Sequence, residues 1–397
     1  MSTRKFAAVA AGMTLALTLA ACGGGGAGTT TDDEGTGGEE TTEETEGGLI
    51  GVSMPTQTSE RWIADGDAVK AGLEEAGYDV DLQFANDDIP TQSQQIDQMI
   101  TKGAKLLIVA AIDGTALSGQ LQAAADAGIK VISYDRLIRD SENVDFYVTF
   151  DNYKVGVQQG TALLTALGIL DESGAETDVA GPFNIELFAG SLDDNNAHFF
   201  FSGAMDTLQP YIDKGTLVVK SGQTNIEQVA TLRWQGETAQ KRMEDLLTAA
   251  YADGSKVDAV LSPNDTLARG IITALQNAGY PGTIAEGLPP VTGQDAEIGS
   301  VKLIADGVQY STIFKDTRKL ADQSVAAAED FLAGEEPEAV RVVVGPPIDR
   351  DEARFAQATK QMVETGDFVD IRFQDDVRYK KPVGIYWMQA AAVETAS

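Results

Sequence analysis

The sequence predicts an α/β chain made of two lobes, each a doubly wound parallel sheet. Three observations lead there. Short apolar runs alternate with stretches of helical periodicity, which is the rhythm of βαβ units rather than of hairpins. That rhythm runs from Leu49 to Arg136, breaks at a polar segment, and starts again beyond residues 147–152. A chain of 397 residues with 43% hydrophobic content also exceeds what one core accommodates, so two are expected.

The elements follow in order. Leu49, Ile50, Val52 and Met54 mark a first strand over 49–54, followed by a polar loop, Thr58-Ser59-Glu60-Arg61-Trp62. Ala68, Val69, Gly72, Leu73 and Ala76 recur at helical spacing, and Gly77 suits a left-handed helix stop. Val80, Leu82 and Phe84 alternate as a second strand. A helix is expected over 91–102, a buried strand over 106–110, and a helix ending near Gly128. The run Lys130-Val131-Ile132-Ser133-Tyr134-Asp135-Arg136 is an apolar strand that ends in two opposite charges beside an aromatic. In the second half, strands are expected at 184–188, 216–220, 257–261 and 290–292, and helices at 196–208, 235–251, 266–278 and 297–306. The halves share this rhythm but no close sequence repeat.

Composition excludes several functions. Lys and Arg number 29 against 61 Asp and Glu, and a net charge of −32 repels nucleic acid and anionic lipid surfaces, so no nucleic-acid partner is expected. One histidine, His198, and one cysteine, Cys22, supply neither a Cys/His zinc site nor a disulfide, and no cofactor or metal is expected.

Arg4 and Lys5 precede a short apolar segment over 6–21, which reads as a signal peptide (1–21) too short to span a membrane. Its end, Leu19-Ala20-Ala21-Cys22-Gly23, resembles the lipobox of bacterial lipoproteins. The resemblance implies cleavage before Cys22, lipidation of its thiol, and anchoring on the outer face of the cytoplasmic membrane, the lipid being the only membrane contact. Residues 22–48 are almost entirely Gly, Thr, Glu and Asp, a composition that predicts a disordered acidic linker.

Open α/β sheets bind ligands beyond the carboxyl ends of their strands. Residues standing there are Asp113, Asp135 and Arg136, Asn264 and Asp265, and Gln294 and Asp295. Asp accepts and Arg donates in forked geometry, a pairing suited to vicinal hydroxyls, although an ion pair capping a strand explains Asp135 and Arg136 equally. Trp62 and Trp234, one in each half, suit either a core or the stacking of a flat sugar face. Asp194 or Asn195 reads as the cap of the helix carrying Phe199, Phe200 and Phe201, at least one of which can line a cleft. His198, without a His or Cys partner, reads as a packed or surface residue.

Together these residues resemble the sugar-binding components of bacterial ABC importers, of the type I periplasmic-binding fold, in the multiple-monosaccharide and xylose-binding branch. The matching pieces are Thr58-Ser59-Glu60-Arg61-Trp62, Tyr134-Asp135-Arg136, Asp193-Asp194-Asn195-Asn196-Ala197, Arg233-Trp234, Leu261-Ser262-Pro263-Asn264-Asp265, Gly293-Gln294-Asp295-Ala296 and the segment 310–318, spread over Leu49 to about Glu338. The resemblance implies hydrogen bonds to sugar hydroxyls from Arg61, Asp135, Arg136, Asn195, Asn264, Asp295 and Lys315, and stacking by Trp62 and Trp234. Asp113 is added from its strand-end position alone. The resemblance also implies a three-segment hinge, near 150–152, 313–316 and 343–347, and hence an N-terminal lobe of 49–151 plus 315–343 and a C-terminal lobe of 152–314 plus 344–397. Beyond Pro347 the chain departs from the family pattern, with a helix-like run and apolar stretches at 368–373 and 383–387. This extension has three open roles: bracing the second lobe, covering its sheet edge, or contacting a partner.

The function so implied is a monomeric, membrane-tethered receptor that closes around a monosaccharide, an aldose such as xylose, glucose, galactose or arabinose, and delivers it to an ABC permease. It is not an enzyme. The alternative is a receptor presenting its closed form to a sensor kinase or chemoreceptor. An exported glycosidase using Asp135 and Asp295 is disfavoured because paired acids in a sugar cleft also serve as plain acceptors. A sugar-sensing repressor is disfavoured by the export signal, the acidic charge and the lack of a basic helix-turn-helix before Leu49.

Overall fold

Strand alternation sends successive side chains to opposite faces, so a sheet built of near-continuous apolar runs needs cover on both sides. The computed structural model describes residues 47–338 and the strand residues 347–348, 372–373 and 376–377. Its first half runs β1 (Leu49–Met54), α1 (Glu60–Glu75), β2 (Asp79–Phe84), α2 (Ile89–Thr101), β3 (Leu106–Val109), α3 (Ser118–Asp126), β4 (Lys130–Tyr134) and β5 (Phe146–Val148). All five strands are parallel, in spatial order β2-β1-β3-β4-β5. Ile50, Val52, Ile108 and Ile132 pack on Val69 and Leu73 of α1. The alternate residues Leu107, Val109 and Val131 pack on Ile96 and Met99 of α2 and Leu121 of α3. Each such side chain, fully buried, contributes about 1.5–3 kcal/mol.

The second half runs α4 (Asn152–Ala166), β6 (Phe183–Leu187), α5 (Asn196–Asp213), β7 (Leu217–Val219), α6 (Ile226–Val229), a 3-10 turn (Leu232–Trp234), α7 (Gly236–Ala249), β8 (Ala259–Leu261), α8 (Asp265–Asn277), α9 (Ile298–Ala305) and β9 (Thr312–Ile313). Strands β7-β6-β8 form a second parallel sheet, extended by a parallel bridge from Val260 to Val291 in place of the full strand expected at 290–292. Ile185, Leu187 and Leu261 pack on Leu163 of α4 and Leu208 of α5. On the other face, Val260 packs on Met243 of α7 and Ile271 of α8. α10 (Thr317–Ala333) then returns to the first sheet, where Leu320, Ala321, Ala327 and Ala328 join the core of Val52 and Leu73. The expected α/β architecture of two doubly wound lobes is therefore present.

One helix escapes periodicity. α4 carries Gly156 and Gly160, which lower helix propensity. Both face α5: a Cβ on Gly156 would lie 2.0 Å from the carbonyl oxygen of Phe200, and one on Gly203 of α5 would lie 2.1 Å from that of Tyr153. The glycines let the two helix backbones approach, at a cost in local stability that their packing offsets.

β10 (Pro347–Ile348) pairs antiparallel with β9, and β11 (Arg372–Phe373) with β12 (Asp376–Val377). The expected signal peptide, Cys22 and nearly all of the acidic linker lie outside the described residues. So do residues 343–346 of the third crossing and the rest of the C-terminal extension.

Candidate functional site

Loops after the strands of both sheets converge on a cavity enclosing about 460 Å³ of empty space, part of it open to solvent. Eight of the ten candidates line it: Arg61, Trp62, Asp135, Arg136, Trp234, Asn264, Asp295 and Lys315. Arg61 and Trp62 stand at the start of α1, Asp135 and Arg136 just past β4, Asn264 caps α8, and Lys315 follows β9.

Strand alternation alone would send Asp135 and Arg136 to opposite sides. The backbone at Asp135 instead takes φ +58°, with Arg136 N donating to Tyr134 O at 2.6 Å across it, so both side chains reach the cavity. The Asp135 carbonyl accepts from Tyr147 Oη at 3.0 Å, Thr149 Oγ1 at 2.9 Å and Asn196 Nδ2 at 3.0 Å, which together hold this sparsely populated conformation. Asp87, Arg233, Trp234 and Asp295, all on the cavity wall, also have positive φ. Such backbone costs of order 1–3 kcal/mol per residue and clusters at ligand sites.

The charges interlock. Arg61 Nη1 lies 3.1 Å from Asp135 Oδ2 and 3.9 Å from Asp295 Oδ1, and Lys315 Nζ lies 2.8 Å from the same Asp295 oxygen. Burial alone would lower the basicity of Arg61, but Asp135, Asp65 and Asp295 together raise it well above the ordinary arginine value. Burial pushes the Asp135 carboxyl up, and Arg61, Lys315 and Arg136 more than reverse that, holding it below the usual carboxylate range. It is thus an ionised acceptor at neutral pH. Asp194 is raised by burial, with Arg136 opposing. The wall carries four carboxylates (Asp87, Asp135, Asp194, Asp295) and four cations (Arg61, Arg136, Arg233, Lys315), so their formal charges cancel.

The aromatics serve both readings. Trp62 is buried in the first core and also lines the cavity, with the Arg61 and Arg136 guanidiniums 4.2 and 5.0 Å from its ring. Trp234 is half-buried, meets Phe200 edge-to-face with centroids 6.2 Å apart, and rests against Gly190, where a Cβ would lie 2.0 Å from the indole. Of the three consecutive phenylalanines, Phe200 lines the cavity while Phe199 is exposed. His198 is exposed.

Two candidates are not brought to the cavity. Asp113 spends its Oδ1 on Thr115 N and Thr115 Oγ1, both at 2.8 Å, closing a local turn. Asn195 is displaced by its neighbours. Asn196 donates to Asp135 Oδ1 at 3.1 Å, and Asp194 pairs with Arg136 Nε at 3.2 Å, because the chain enters α5 in a turn that aims alternate residues inward. Arg136 therefore pairs with Asp194, just before α5, not with adjacent Asp135. Gln294, expected at a strand end, also lines the cavity, and so do Asp87 and Arg233, to which no contact with a ligand was assigned. Asp87 follows β2, so the strand-end rule extended to Asn86-Asp87-Asp88 points to it, whereas no local signal marks the left-handed backbone at Arg233.

The wall has unused capacity. Trp234 Nε1 and Gln294 Oε1 are buried without a hydrogen-bond partner, and Arg136 Nε and Asp295 Oδ1 face opposite charges without a directed hydrogen bond. Buried polar groups in folded proteins are almost always satisfied, so an undersatisfied set on one cavity wall suits a ligand rich in hydroxyls.

Residues 50–336 match the periplasmic binding protein domain. The chain is 56% identical over 291 residues to the multiple sugar-binding periplasmic receptor ChvE of Rhizobium radiobacter, covering 73% of this chain and 80% of that one. It is 37% identical over 290 residues to the D-xylose-binding periplasmic protein of Escherichia coli K12, covering 73% and 79%. A crystal structure of an ABC transporter solute-binding protein from Clostridium phytofermentans with bound β-D-glucose superposes with a TM-score of 0.69 at 43% identity, covering 80% of this chain and 97% of that one.

Proposed function

The chain belongs to the periplasmic binding protein family, and from that premise we propose that it is an extracytoplasmic lipoprotein that binds an aldose between its lobes and delivers it to an ABC permease. The observation that carries the reading is the charge-balanced wall: four carboxylates and four cations with unused donors and acceptors favour a neutral polyol over an ion. Relatives whose names specify sugars, and the glucose-bound neighbour, support a monosaccharide such as glucose, xylose, galactose or arabinose. Asp135, whose carboxyl is held low, does not suit the general-acid role of a glycosidase, which needs a raised one.

The lobes of the proposal are 49–151 plus 315–343 and 152–314 plus 344–397. Support comes from α4, which begins at Asn152 and packs on the second sheet, and from α10, which follows Lys315 and packs on the first. Closure about these crossings gives a permease a shape that reports occupancy. Lipidation at Cys22, implied by the lipobox resemblance, tethers the body outside the cell. Calorimetric titration of the purified protein with a panel of aldoses tests the reading. Saturable binding of one or more is expected, and heat from none of them, or turnover of a glycoside, overturns it.

A further inference from the structure

Behind the cavity wall, and outside the cavity lining, lies Asp65, fully buried on α1 one helical turn after Arg61. Its Oδ2 sits in the lateral fork of the Arg61 guanidinium, 2.8 Å from Nε and 2.6 Å from Nη2. Its Oδ1 accepts from Tyr134 Oη at 2.5 Å, and Tyr134 ends the strand whose next residue is Asp135. Because Oδ2 occupies the Nε side, Nη1 is left to reach Asp135 and Asp295 on the wall. A guanidinium is planar, so fixing one edge fixes the direction of the other.

We propose that Asp65 is a positioning residue for ligand binding: through its hold on the lateral edge of Arg61, itself braced by Tyr134, it aims the free edge of that guanidinium at the ligand and locks α1 to the Asp135 turn. This rests on the binding reading above. A carboxylate buried for packing alone is costly, and replacing it would affect folding without regard to Arg61. A carboxylate that works through Arg61 has no effect on affinity once Arg61 is gone.

A double-mutant cycle on D-glucose and D-xylose affinity separates these roles. The variants are Asp65→Asn, Arg61→Met, which keeps an unbranched apolar stem but no guanidinium, and the double variant, each titrated calorimetrically and melted without sugar. Asp65→Asn is expected to weaken affinity about tenfold to a hundredfold and to add less than about threefold in the Arg61→Met background. Equal losses in both backgrounds, or unchanged affinity for Asp65→Asn, overturn the proposal. If Asp65→Asn fails to fold, Tyr134→Phe removes one donor from the same carboxylate. Its severalfold loss must then vanish beside Arg61→Met, and persistence there overturns the proposal. Wild-type protein that binds no aldose would sink the binding reading itself, whereas wild-type binding with an additive cycle sinks only the role of Asp65.

Discussion

Arg136→Ala discriminates best between a ligand site and a merely polar interior. Arg136 is 6% exposed, its Nε lies 3.2 Å from Asp194 Oδ2, and its Nη1 donates to the carbonyls of Ala111 and Ile112 at 3.2 and 3.4 Å. The carbonyl bonds lie within one lobe and are long, so their loss is a minor cost to folding. In the proposed closure the ion pair joins the two sides of the cleft, so removing one partner leaves Asp194, 4% exposed, without its counter-charge. Breaking a buried pair this way costs about 3–5 kcal/mol, which at 1.4 kcal/mol per decade is a loss of about two to three and a half decades in affinity. Calorimetry with D-glucose or D-xylose should therefore show at least about a hundredfold weaker binding, while the sugar-free melting temperature moves by only a few degrees. Removing both charges, in Arg136→Ala with Asp194→Ala, should recover part of the loss, because the stranded carboxylate is gone. A lowered melting temperature with unchanged affinity would refute the reasoning, since Arg136 would then be supporting its own lobe and not the closed cleft.

Gly190→Ala places a methyl where the Trp234 ring lies, so the ring must move; about tenfold weaker sugar binding with a retained fold is expected by titration. Asp65 gives a pH signature: burial raises its carboxyl from 3.8 to about 6 against the pull of Arg61 and the Tyr134 hydrogen bond, with Asp135 nearby adding to the rise. Between those values the folded chain holds a proton that the unfolded chain has released, so stability from this group is highest below pH 4, falls as pH rises, and levels above 6. Denaturant melts without sugar should show wild type losing about 3 kcal/mol relative to Asp65→Asn between pH 4 and 7, and a constant difference would contradict the shift. Cys22→Ser should release the protein from membranes without altering its melt, and sedimentation with membranes as in wild type would end the lipoprotein proposal.

The strands and their parallel arrangement were legible because burial on both faces writes continuous apolar runs such as Leu106-Leu107-Ile108-Val109, and the strand-end rule then located Asp135, Asn264 and Asp295 without knowledge of pairing. Two kinds of information were not legible. The first is backbone that breaks alternation: the left-handed turn at Asp135 depends on three donors, Tyr147, Thr149 and Asn196, spread over about fifty residues, so no local pattern announces it. The second is partnership. Adjacency in the sequence suggests Asp135 with Arg136, yet each charge is satisfied elsewhere, Asp135 by Arg61 and Arg136 by Asp194, because a turn that sends both neighbours into one cavity also aims them at different walls. The same logic explains Asn195: the sequence shows a polar cluster at the helix start, but which of its members faces inward is decided by how α5 packs, and α5 lies close against α4 at Gly156 and Gly203. Residue types sufficient for the chemistry are thus local information, whereas the direction of each side chain is decided by packing between elements far apart in the chain.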